Sequence, residues 1–153
     1  GANANVMRML KEVDDSDTDP RTWVEQALDE GRRVPGFGHR VYNVKDPRAE
    51  ILGTKSKELA ETAGEARWYD YSTTIEAYIA DEKGLVPNVD FYSASTYYQM
   101  GIPVDAYTPI FAMSRVAGWI AHVLEQYEDN RLIRPRARYV GETDHPFPPL
   151  EER

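Results

Sequence analysis

What most constrains this chain is its punctuation. Gly31, Gly64, Gly84 and Gly101, with Pro20, Pro47, Pro103 and Pro109, cut it into segments whose apolar residues recur at helical spacing. Residues 2–11 are compatible with a helix, and Asp14 to Asp19 reads as an acidic turn. Thr18 or Asp19 can cap a second helix that Pro20 opens, with Trp23, Ala27 and Leu28 on one face until Gly31. A loop follows, from Arg32 to about Asp46. Pro47 opens a third helix with Ile51, Leu52, Leu59 and Ala60 in register, ended by Gly64. Residues 68–82 form a fourth, with Tyr71, Ile75, Tyr78 and Ile79 on one side. Asn88 or Asp90 caps a short aromatic fifth through Tyr98. Thr108 is expected to cap the last helix and Pro109 to start it; Ile110, Met113, Ile120, Leu124 and Tyr127 carry its stripe to about Glu128. From Arg131 onward the chain is Arg- and Pro-rich and irregular. Strand alternation is nearly absent, so the expected class is all-α.

The 153 residues, 41% of them apolar, suffice for an ordinary core. No run of 18 apolar residues is present to span a bilayer as a helix. The absence of cysteine excludes a disulfide framework, a thiol nucleophile and thiolate metal ligation, and fits a cytoplasmic protein. A net charge of -8 argues against a nucleic-acid surface, which needs a basic face. Of the 18 basic residues, only Lys11, Lys45, Lys55, Lys57 and Lys83 are lysines. Such a surface suits high ionic strength, where its self-repulsion is screened, and is equally that of an ordinary acidic protein. The aromatic clusters at 68–71 and 91–98 are read as core.

The chemistry concentrates in the loop. Gly36-Phe37-Gly38 is no dinucleotide fingerprint, because Val41 stands where a third glycine would be needed, and no Gly-Lys-Ser/Thr follows for a phosphate loop. Taken alone, the pair is a turn, and His39 beside it a solvated or structural histidine. Arg48, just after Pro47, opposes the helix dipole, and that local conflict suggests another purpose, such as a bidentate grip on a carboxylate. His122 and His145 lack such company, and no histidine pair has metal-ligand spacing, so no metal site is expected.

Residues Pro35-Gly36-Phe37-Gly38-His39-Arg40-Val41-Tyr42, with Asp46-Pro47-Arg48, resemble the signature of the citrate synthase family. Gly1-Ala2-Asn3 resembles the end of its Leu-His-Gly-Gly-Ala-Asn segment. Asn88-Val89-Asp90-Phe91-Tyr92-Ser93 resembles the segment bearing its catalytic aspartate. Ser114-Arg115 and Arg134-Pro135-Arg136 resemble its substrate arginines. The acidic, lysine-poor version looks haloarchaeal.

The resemblance implies an acyltransferase of the tricarboxylic acid cycle that condenses acetyl-CoA with oxaloacetate, acetyl-CoA being a substrate and no cofactor being needed. Asp90 would take a methyl proton from acetyl-CoA, and His39 would polarise the oxaloacetate carbonyl. Arg48, Arg115 and Arg134 would hold the dicarboxylate, Arg134 from the neighbouring subunit of a homodimer. Val34, Pro35, Gly36, Phe37 and Gly38 would present backbone to the adenine end of CoA. The implied fold is the family's multi-helical one: the small domain over residues 1–102, then the last helix of the large domain and the tail over 103–153. Gly101-Ile102-Pro103 is either a hinge or a plain turn. The family's enolate-stabilising histidine would precede Gly1, so the chain by itself is expected to be inactive. A 2-methylcitrate synthase using propionyl-CoA, a citryl-CoA lyase module and a non-catalytic helical module are the rival readings.

Overall fold

In the computed structural model, residues 1–41, 44–133, 136–144, 146 and 148–152 are described. Residues 1–115 pack as one compact unit and residues 116–153 as a second. The described residues contain no strand, only an isolated bridge between Phe37 and Pro87, and the class is all-α.

Helix α1 (Ala2–Asp15) buries Val6, Met7, Met9, Leu10 and Val13. It takes in Asp14 and Asp15, the first two residues of the expected acidic turn, and the turn itself follows at 16–18. Tertiary contacts hold that end: Asp14 accepts from Tyr71 Oη at 3.0 Å and from Arg67 at 3.1 Å, and Ser16 Oγ donates to the Val13 carbonyl at 2.8 Å. Helix α2 (Pro20–Asp29) begins as its sequence dictates, with Asp19 accepting from the Arg21 and Thr22 amides. Helices α3 (Pro47–Ala63) and α4 (Arg67–Lys83) end at Gly64 and Gly84, both left-handed.

Helix α5 (Val89–Gln99) is the centre of the first unit. Phe91 through Thr96 are buried without a break, so the helix is covered all round. Helix α3 lies against it through small residues. Ser56 and Ser95 share a hydroxyl hydrogen bond of 2.9 Å, and a Cβ on Gly53 would stand 3.4 Å from the Tyr92 ring. Helix α1 supplies Val6 and Met7 to the same core, and α4 supplies Trp68, Ile75 and Ile79. Trp68 meets Tyr98 edge to face at 5.0 Å between centroids.

Helix α6 (Tyr107–Glu128) starts earlier than Thr108 and Pro109 suggest. A 3-10 turn, Val104–Ala106, leads into it, and the buried Tyr107 anchors it by donating to the Ala94 carbonyl at 2.9 Å. Thr108 is therefore inside the helix. The expected stripe is in register, yet Met113, Ile120, Leu124 and Tyr127 are all exposed, as is Trp119. In the second unit, a 3-10 turn at Leu150–Glu152 follows the irregular tail.

Phe91 is fully buried at the meeting of α1, α5 and the loop before α3, against Phe37 at 4.6 Å. Phe91→Ala is expected to cost about 3–5 kcal/mol in urea unfolding, as a large aromatic removed from a close-packed site does.

Candidate functional site

The Val34–Gly38 segment is held by backbone. Asn88 N–H donates to the Gly36 carbonyl at 2.9 Å, and Gly38 N–H to the Val86 carbonyl at 3.1 Å. Gly36 has φ 89°, and a Cβ there would stand 2.8–3.0 Å from Phe91 and Val6. The close approach that this glycine permits is therefore to the protein's own core. Gly38, also at positive φ, has open space beside it. Residues Val34 to Gly38 all line a cavity of about 640 Å³, with Ala2, Arg8, Arg32, Arg33 and Asn88 among its other walls. Arg32 is engaged with Glu12 at 2.7 Å and lies over the Trp23 ring. The three arginines had no distinguishing signal in sequence, because they come from two segments that only folding brings together.

Asn88 joins this loop to α5. Its Oδ1 caps the helix by accepting from Asp90 N–H at 2.9 Å, while its Nδ2 donates to the Gly38 carbonyl at 2.9 Å. Of the two capping residues considered, Asn88 is the one that caps.

Asp46 and Arg48 form the second part of the site. Asp46 is 1% exposed. Its Oδ1 accepts from the Arg48 amide at 2.9 Å and from Nε at 3.0 Å, and its Oδ2 accepts from Nη2 at 2.8 Å. The carboxylate that Arg48 grips is thus the cap of its own helix, which resolves the conflict with the helix dipole. Arg48's hydrogen bonds hold the Asp46 carboxyl below the usual range against the opposing effect of burial, with help from the charges of Arg48 and His39. Sequence reading gave Asp46 no role of its own. The signal was present: an aspartate directly before a helix-opening proline, with an arginine two residues on.

Asp90 is half-buried at the start of α5. Burial pushes its carboxyl up, and the neighbouring Asp46 charge adds to that. Arg48 and the main-chain N–H of Asn3 act the other way. The first turn of α1 thus meets the first turn of α5 at this carboxylate. The Asn3 side chain is 2% exposed, and its Nδ2 has no partner among the described residues.

His39 is exposed, and its Nδ1 accepts from Val41 N–H at 3.0 Å. With Asp46 and Gly38 it lines a smaller cavity of about 210 Å³, to which Asp90, Arg48 and Arg115 do not contribute. Asp46 links the group, acting electrostatically on both His39 and Asp90. The fold therefore joins Asp46 and Arg48 directly and leaves His39 and Asp90 within electrostatic reach of Asp46. Arg115 is exposed on α6 with its guanidinium 5.7 Å from the Phe111 ring centre. Arg134, like His145, lies outside the described residues. Among the described residues, no group of three or more His, Cys, Asp or Glu could hold a metal ion, and no helix is long and apolar enough to cross a membrane.

Residues 1–136 match the family model described as "Citrate synthase, C-terminal domain". The whole chain is 75% identical to 40% of the citrate synthase of Haloferax volcanii. It is 41% identical, again over its full length, to 40% of the 2-methylcitrate synthase of Shewanella oneidensis. In structure, 99% of it superposes on 42% of the citrate synthase of Thermoplasma acidophilum, solved as a ternary complex with carboxymethyl coenzyme A and oxaloacetate, with TM-score 0.77 and 36% identity. The chain thus spans about two-fifths of the length of these relatives.

Two variants test the site as a physical object. Asn88→Ala is expected to cost about 1–3 kcal/mol, since it loses a cap and orphans the Gly38 carbonyl. Asn88→Asp keeps the cap and should recover part of that loss, as read by urea unfolding. Because the Asp90 carboxyl is raised in the fold, its ionised form costs stability above its folded pKa, and that cost vanishes below the ordinary carboxylate value of about 3.9. Asp90→Asn should therefore melt higher than the parent chain at pH 7, with the gap closing toward pH 4.

Proposed function

This chain belongs to the citrate synthase family, and on that premise we propose that, joined to the remainder its relatives carry, it condenses acetyl-CoA with oxaloacetate and, with one water to cleave the thioester, gives citrate and CoA. The observation that carries the reading is the Asp46–Arg48 clasp set beside Asp90 and His39. A carboxylate whose pKa burial has raised is a stronger base than an exposed one, as removal of a weakly acidic thioester α-proton requires. Asp90 takes that proton. His39, within electrostatic reach of Asp46, hydrogen-bonds the oxaloacetate carbonyl oxygen and leaves its carbon open to attack by the new carbon nucleophile. Arg48, held in a fixed plane by Asp46, receives a substrate carboxylate together with Arg115 and Arg134. The Val34–Gly38 wall of the larger cavity takes the adenine end of CoA.

The site also wants completion. The cavity beside His39 has no wall from Asp90, and α6 exposes Met113, Trp119, Ile120, Leu124 and Tyr127 in one long helix. We assign residues 1–102 to a small domain and 103–153 to the C-terminal segment of a large one, whose remainder covers that apolar face. Gly101-Ile102-Pro103, with Gly101 at φ 76°, is the turn about which the small domain closes. The intact enzyme works in the cytoplasm as a homodimer, and its acidic, lysine-poor surface suits a halophilic archaeon.

The Shewanella relative supports a second reading, with propionyl-CoA as the acyl donor. One methylene is worth only about 1–3 kcal/mol in a pocket. Assay of the chain joined to its N-terminal portion should show CoA release with acetyl-CoA at least tenfold faster than with propionyl-CoA. The reverse order would favour methylcitrate formation, and no release with either would end both readings. The 153 residues alone should show no turnover, because a missing oxyanion donor alone typically costs about 10²–10³-fold.

A further inference from the structure

Between Gly38 and Pro47 the chain carries His39, and there Val41 is 74% and Val44 70% accessible. Its upstream end is tied by the backbone hydrogen bonds of Gly36 and Gly38. At its downstream end a side chain does the tying. Lys45 Nζ donates to Glu76 Oε1 at 2.8 Å, and the other oxygen of Glu76 accepts from the hydroxyl of Tyr92. Tyr92 is 3% exposed and follows Asp90 by two residues on α5. Its ring is packed on Gly53 of α3, so it has no room to swing away. Glu76 itself projects from the middle of α4, with its side chain 21% exposed.

We propose that Glu76 is a positioning residue, which by holding Lys45 on one side and Tyr92 on the other sets the adjoining Asp46–Arg48 clasp at a constant distance from the helix that bears Asp90. One carboxylate thereby connects the loop, α4 and α5. Neither Lys45 nor Glu76 touches substrate in this scheme. Both act through the Asp46–Arg48 clasp that begins one residue after Lys45.

Hydrogen exchange on the 153-residue chain tests the clasp directly. Glu76→Gln still accepts from Tyr92 but drops the ion pair, and Lys45→Met keeps the chain length of the side chain. Each should speed exchange at the Val44 and Lys45 amides about two- to fivefold, the range expected for a partly exposed pair. The double variant should exchange no faster than either single one, Lys45→Arg should behave as the parent, and amides of α2 should not change. Unchanged loop exchange, or effects that multiply in the double variant, would overturn the proposal. The consequence for catalysis rests on the proposed condensation and is read separately, in the chain joined to its N-terminal portion. There the KM for oxaloacetate should rise two- to fivefold with the KM for acetyl-CoA and kcat unchanged. A uniform fall in kcat with no shift in KM would show a merely structural contact. If the parent enzyme does not condense at all, the proposed function fails while the exchange measurement still decides the clasp.

Discussion

Helix α5 is buried on every side along Phe91–Thr96, and the arrangement of the first unit follows from covering it. A helix with no solvent face cannot shed its apolar residues outward, so α1, α3 and α4 must each present a matching surface. The fit against α3 is close because α3 presents small residues there: Gly53 against the Tyr92 ring and Ser56 against Ser95. The buried hydroxyls of Ser56 and Ser95 satisfy one another, so that closeness does not leave either hydroxyl without a partner.

The functional cluster occupies the N-terminal end of this buried helix. That end has unpaired amides to satisfy, and Asn88 meets part of the need while its other side-chain atom holds Gly38. The main-chain N–H of Asn3, in the first turn of α1, reaches Asp90 at the same place. A carboxylate here stands between two opposed influences. Burial favours its neutral form, and Arg48 and the Asn3 amide favour its charge. Burial prevails. Asp46 shows the opposite balance a short distance away, where direct hydrogen bonds from Arg48 outweigh its almost complete burial. Two aspartates of one sequence thus acquire different acidities from their partners alone.

Helix α6 has the other kind of surface. It is regular and amphipathic in sequence, yet beyond Tyr107 its large apolar residues face solvent. Its stripe is read from spacing alone, which holds whether or not anything covers it.

Much of this was legible in the residues themselves. Helix starts at Pro20 and Pro47 and stops at Gly64 and Gly84 depend on local dihedral and capping chemistry, so they follow from a few neighbouring letters. The all-α class and the family followed from spacing and from the order of short motifs. What remained illegible depended on partners distant in sequence. The continuation of α1 through Asp15 needed Arg67 and Tyr71. The early start of α6 needed the Ala94 carbonyl for Tyr107. The packing of Gly36 against Phe91, the bridging by Asn88, and the Lys45–Glu76–Tyr92 contact all join segments separated by tens of residues. The sequence alone therefore determined the helix boundaries set by proline, glycine and caps, and supplied the candidate site residues through a family resemblance. Tertiary structure decided which carboxyl is raised and which lowered, because burial and facing charge are properties of an assembled site and not of a residue type.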